Sequence, residues 1–142
     1  SPSTHAPLAP VPDEGPAEAG EVLAQIADFY AMDRAPAVFR WMARDRAFLQ
    51  AYWEATRAAF ADRALERRMK EILALAASMT GKSEYGVDLH LREARRLGLS
   101  EQGLTEAVEV VQLFNTVTKI ADALQLQPDF NPRAPGPVPA AG

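Results

Sequence analysis

Apolar residues recur along this chain at spacings of three and four, the pattern of helices with one apolar face, and nowhere alternate long enough to line a sheet. In AEAGEVLAQIADFYAM, residues 17–32, Val22, Leu23, Ile26, Phe29 and Tyr30 share a stripe, which predicts a first helix ending before Asp33–Pro36. PAVFRWMAR follows with proline in the favoured first turn; Asp45 then either caps a third helix or lies inside one longer kinked helix. RAFLQAYWEATRAAF carries Phe48, Leu49, Tyr52, Trp53 and Phe60 on a broad apolar face suited to packing.

DRALERRMKEILALAASMTGKS places Leu65, Met69, Ile72, Leu73 and Ala76 on one face, with Gly81 positioned as a left-handed C-cap. SEYGVDLHLREARRLGL opens on Ser83, a candidate N-cap, and closes on Arg92, Arg95, Arg96 and Gly98, the polarity a helix dipole favours. Ser100 could cap the last stretch, EQGLTEAVEVVQLFNTVTKIADALQLQ, which is long enough for two helices broken near Asn115. Together these segments predict an all-α bundle of five to seven helices.

Proline sharpens the limits of that bundle. Five prolines fall in residues 1–16, one is Pro36, and five lie from Pro128 onward, leaving 37–127 free of them. Residues 1–18 and 128–142 therefore read as proline-rich extended or disordered tails around a single helical domain, 19–127. A length of 142 residues with 48% hydrophobic side chains suits one core, and a net charge of −4 lacks the basic excess that nucleic acid demands. With no cysteine, the chain has no disulfide, no thiolate metal site and no sulfur nucleophile. Neither a secretory leader pattern nor an apolar run of about 18 residues is visible, so a soluble cytoplasmic protein with no membrane contact is expected.

The candidate chemistry lies around GKSEYGVDLH, which holds the one histidine outside the N-terminal tail. A turn at Gly81–Lys82 would fold the helices bearing Glu71 and His90 into an antiparallel hairpin. Helical rise from the turn puts Glu71 about 15 Å and His90 about 12 Å along their helices, so the two come level. A carboxylate facing an imidazole fixes its tautomer and makes a proton relay, which the Ser83 hydroxyl could join. Structural readings stand beside this one. Glu71 could pair with Arg67 and Arg68 at the surface, His90 could be an interhelical hydrogen-bonding group, and Ser83 could be only a cap. Gly86 favours function or close contact, because a glycine in a first turn costs up to about 1 kcal/mol against alanine and implies that space is needed. A Ser–His–acid nucleophile triad does not fit, since Ser83 and His90 are about 10 Å apart by helical rise. Glu71 and His90 are the metal ligands if there are any, but as a pair they would need ligands from subunit contacts.

KEILALAASMTGKSEYGVDLHLREARRLGLSEQGLTEAV, with the LFNTVTKIADAL that follows, resembles the alkylhydroperoxidase-D-like, carboxymuconolactone decarboxylase family over about residues 45–127. Redox members carry a glutamate, then Cys-x-x-Cys twelve residues later, then histidine four residues beyond. Here Glu71, Ser83-Glu84-Tyr85-Gly86 and His90 keep the register while both sulfurs are replaced. The resemblance implies the family's all-helical fold, a homotrimer or homohexamer, and sites near subunit contacts. It also implies that thiol peroxidase (peroxiredoxin) activity is lost, because serine has neither the accessible anion nor the reversible sulfenic chemistry of cysteine. The decarboxylases that name the family act without the cysteine pair. On that model, His90 is the general acid or base, Glu71 orients it, and Ser83 and Tyr85 bind a small organic acid or lactone beside Gly86, with Lys82 and Arg92 as candidate carboxylate holders. No cofactor is expected. The rival expectation is a non-catalytic descendant serving as an oligomeric binding or scaffold protein.

Overall fold

The computed structural model describes residues 8–137, which form six α-helices and one short 3-10 turn, without a strand among the described residues. After the turn at Ala17–Ala19 come α1 (Gly20–Phe29), α2 (Ala37–Met42), α3 (Arg46–Phe60), α4 (Arg67–Thr80), α5 (Glu84–Arg96) and α6 (Glu101–Ala123). The Asp45 carboxylate accepts the Phe48 N–H at 3.2 Å, so α3 starts afresh after α2 and the single kinked helix is excluded. Pro36 stands one place earlier than expected, as the cap of α2 rather than its first residue.

Residues 1–7 and 138–142 of the expected tails lie outside the described residues. Residues 8–16 run without helix along α2, where Arg40 and Arg44 donate to the Pro12 and Pro10 carbonyls at 3.0 and 3.2 Å. No helix of the described residues is long and apolar enough to cross a membrane.

Two apolar cores result. The larger joins α1, α2 and α3 through Val22, Ile26, Tyr30, Phe39, Leu49 and Trp53, with Phe29 meeting Trp53 edge-on at 5.1 Å between centroids. The smaller contains Leu75 of α4, Ala94 of α5 and Leu104 of α6.

Three expectations need correction. Gly81 is not the left-handed cap: its φ is −77°, and Lys82, at φ 57°, makes the reversal while Ser83 N–H returns to the Ser78 carbonyl at 2.9 Å. A lysine thus takes the place usually held by glycine, at a cost of about 1 kcal/mol. The last helix is not broken at Asn115. Asparagine costs a helix well under about 1 kcal/mol, and Asn115 accepts a hydrogen bond from the Thr80 hydroxyl at 3.3 Å, so α6 runs straight through it. The apolar face expected around α4 is only partly covered: Met69 and Leu73, with Leu65 just before the helix, are exposed, Ile72 and Ala76 are half-buried, and Glu71 and Leu75 are the buried residues of this helix.

Candidate active site

α4 and α5 form the antiparallel hairpin, and the Ser83 hydroxyl starts α5 by accepting the Gly86 N–H at 3.1 Å. The Gly86 space is filled by the neighbouring helix. A methyl group there would lie 2.5 Å from Ser78 Oγ and 3.0 Å from Ser78 Cβ, so the close helix contact expected as one of two explanations accounts for the glycine. With the helices held this near, Glu71 Oε2 and His90 Nδ1 meet at 2.7 Å.

Glu71 is fully buried, so its carboxylate needs partners, and it takes them from His90 and, at 3.4 Å, from Arg67 one turn earlier. The surface pairing with Arg68 does not form; that guanidinium turns outward to Glu66. The His90 tautomer follows from the network: Nδ1–H donates to the carboxylate, leaving the Nε2 lone pair for an outside group. The imidazole lies parallel to the Phe60 ring, with centroids 6.0 Å apart and an interplanar angle of 9°.

Behind this pair lies a group that the sequence pattern did not single out. Glu93, also fully buried, accepts from Arg67 at 2.8 Å, Arg92 at 2.9 Å and Arg96 at 2.7 Å. Three guanidinium groups therefore surround one carboxylate, and Arg67 also reaches Glu71. Arg67 carries its Cζ 3.7 Å over the Phe29 ring and leaves its Nε sealed and without a partner. The hydrogen bond to Glu93 raises the Arg96 pKa above its ordinary value. The signal in the sequence was the run Arg92-Glu93-Ala94-Arg95-Arg96 falling opposite Arg67, which reads as an ordinary helix terminus until α4 and α5 are packed together.

His90 opens on a cleft of about 280 Å³ between α2, α3 and α5, whose walls include Tyr30, Phe39, Tyr52, Phe60 and Tyr85. Ser83 and Gly86 also line it. The Tyr85 hydroxyl accepts the Val38 N–H at 3.4 Å, tying α5 to α2. Neither candidate carboxylate holder lines this cleft. Lys82 borders a separate concavity with Ser78, Met79 and Val87. Arg92 spends its guanidinium on Glu93 and on the Tyr30 and Ala31 carbonyls, at 2.7 and 3.0 Å. Among the described residues no group of three or more histidine, aspartate or glutamate side chains is placed to hold a metal ion.

The carboxymuconolactone decarboxylase family model matches residues 46–127, from the start of α3 to just past α6. Among solved structures, the alkylhydroperoxidase AhpD core from Rhodospirillum rubrum superposes with a TM-score of 0.74 at 24% identity, over 79% of this chain and 83% of that one, and so has the same fold. No curated protein matches the sequence. Since the matched segment makes up more than half of the chain, this protein belongs to the carboxymuconolactone decarboxylase family, as a member without cysteine.

Proposed function

We propose that this cysteine-free member of the carboxymuconolactone decarboxylase family uses Glu71 and His90 for acid–base chemistry on a small carbonyl compound, a lactone in preference to a dicarboxylic acid. The observation that carries the reading is the 2.7 Å bond from His90 Nδ1 to a buried carboxylate, which leaves Nε2 as a base at an aromatic cleft. The preference for a neutral compound rests on the cleft walls, which carry no lysine or arginine to pair with a free carboxylate. In this reading Glu71 holds the imidazole and Ser83 serves the helix end, so the peroxide chemistry of thiol-bearing relatives has no nucleophile here.

A test uses coumaranone, a benzo-fused γ-lactone with an acidic carbon beside its carbonyl. The protein is expected to accelerate exchange of that carbon's protons with deuterated water, and His90→Gln to slow it by about 10²–10⁴-fold. Equal exchange rates in the two proteins would reject the reading.

A second reading, assembly as a homotrimer or homohexamer, has its own support. Met69 and Leu73 on α4, with Val110, Leu113, Phe114, Val117 and Ile120 on α6, are exposed large apolar residues on two adjacent helices.

A further inference from the structure

Most polar groups around the cleft have partners within the chain. Tyr85 accepts from Val38, Ser83 accepts from Gly86, and His90 Nδ1 donates to Glu71. Tyr30, at the end of α1, differs. Its residue is 2% exposed and its carbonyl accepts from Arg92 at 2.7 Å, yet among the described residues its hydroxyl meets no protein donor or acceptor. Arg67 Nε is the sealed side-chain polar atom without a partner among those residues. Tyr30 shares the lining of the cleft with His90.

A hydroxyl left without a partner in an otherwise buried residue loses hydrogen-bond energy unless something in the cleft supplies an acceptor. We propose that Tyr30 is a ligand-binding and catalytic residue that donates its hydroxyl hydrogen to the carbonyl oxygen of a flat, neutral lactone held between the aromatic walls. This deepens the acid–base reading and rests on it for the catalytic half of the role.

The phenol suits the task. Burial, and next the Glu71 carboxylate, push the Tyr30 pKa well above its ordinary value, so the group stays protonated and is a donor throughout the neutral range. When His90 Nε2 takes the proton from the carbon beside the carbonyl, the C–H electron pair becomes a carbon–carbon double bond and the carbonyl pair moves to oxygen. The resulting enolate oxygen accepts from Tyr30 while the imidazolium returns a proton, or a deuteron, to carbon. No redox partner is needed and the lactone is regenerated. Aromatic walls at Phe39, Tyr52 and Phe60 fit a flat ring better than a branched aliphatic acid.

Coumaranone again serves as the probe, now read in two ways. The infrared carbonyl band of the bound lactone is expected at lower wavenumber than in water-poor solvent, and Tyr30→Phe is expected to remove that displacement and to weaken binding about tenfold. The same substitution should slow deuterium exchange by about 10²–10³-fold. As a check independent of any variant's folding, wild-type protein labelled with ¹³C at the tyrosine Cζ should show the Tyr30 resonance moving on titration. A carbonyl band unchanged in Tyr30→Phe, a Tyr30 resonance that does not move, or no binding by the wild type each overturns the donor role. If the band depends on Tyr30 while exchange never exceeds buffer, the donor site stands and the acid–base reading falls. If exchange depends on His90 and the band ignores Tyr30, the reverse holds.

Discussion

The inner and outer faces of α4 invert the usual arrangement of a globular helix. Inward, the helix presents Arg67, Glu71 and Leu75, and its neighbour α5 adds Glu93; outward, it presents Met69 and Leu73 beside a continuing apolar row on α6. Burial of large apolar side chains is worth about 1.5–3 kcal/mol each, so a monomer that left the outer row in water would forgo most of that stabilisation. Buried ion networks, by contrast, often stabilise no more than apolar residues of equal volume. The difference assigns the two faces different work. The inner one positions charge beneath His90, and the outer one is the area that the proposed assembly would cover.

Removing a member of the inner network should produce the largest effect. Glu93→Ala strips the shared acceptor from Arg67, Arg92 and Arg96 and leaves the largely buried Arg67 guanidinium opposed only by Glu71. We expect a loss of about 3–5 kcal/mol in urea unfolding, with Glu93→Gln falling between this variant and wild type because it keeps the shape but not the charge. A loss under about 1 kcal/mol, the value of an exposed pair, would break the comparison by making the interior network no different from surface salt bridges.

The outer face comes next. Leu113→Asp combined with Phe114→Asp alters two exposed residues on α6, so it should leave the α1–α3 core and the Glu71–His90 bond in place. Light scattering should report a lower mass than wild type, because two side chains worth about 1.5–3 kcal/mol each on burial become charged. A wild type already monomeric at high concentration, or a variant of unchanged mass, would deny the outer face its role.

The inversion also explains which parts of the molecule were legible in the sequence. Helix existence and most boundaries followed from local signals: Asp45, Ser83 and Ser100 all cap, each by accepting an N–H three residues on. That Glu71 and His90 come level followed from two distances along a hairpin; their 2.7 Å contact also needs the two side chains to face each other, which those distances do not give. Facing is where sequence reading failed. The Leu65, Met69 and Leu73 periodicity marks an apolar side correctly, but periodicity cannot tell burial within one chain from burial against another. Glu93 stayed hidden for a related reason. Set among Arg92, Arg95 and Arg96, whose charges suit the helix end, it passes for one more surface charge, and only the approach of Arg67 from α4 turns it into an interior acceptor. Tyr30 read as one more apolar contact in α1, because an unpaired hydroxyl is a property of the assembled cleft.

The smallest effect belongs to an ion pair that resembles the interior ones in geometry and differs in surroundings. Arg95 grips Glu101 with Nε and a terminal nitrogen at 2.6 and 3.2 Å, and both side chains are exposed. The hydrogen bond from Arg95 lowers the Glu101 pKa. A depressed carboxyl stabilises the fold above the unfolded chain's ordinary carboxylate range, and the benefit disappears as pH falls through the lowered folded value. Glu101→Gln should therefore melt slightly below wild type near neutrality and converge with it in acid, and added salt should shrink even the neutral difference. The Glu93 deficit should survive the same salt, since solvent does not reach that carboxylate. Equal salt sensitivity in the two variants would mean that burial does not separate the inner network from the surface, removing the physical ground for placing the relay's support inside the α4–α5 hairpin.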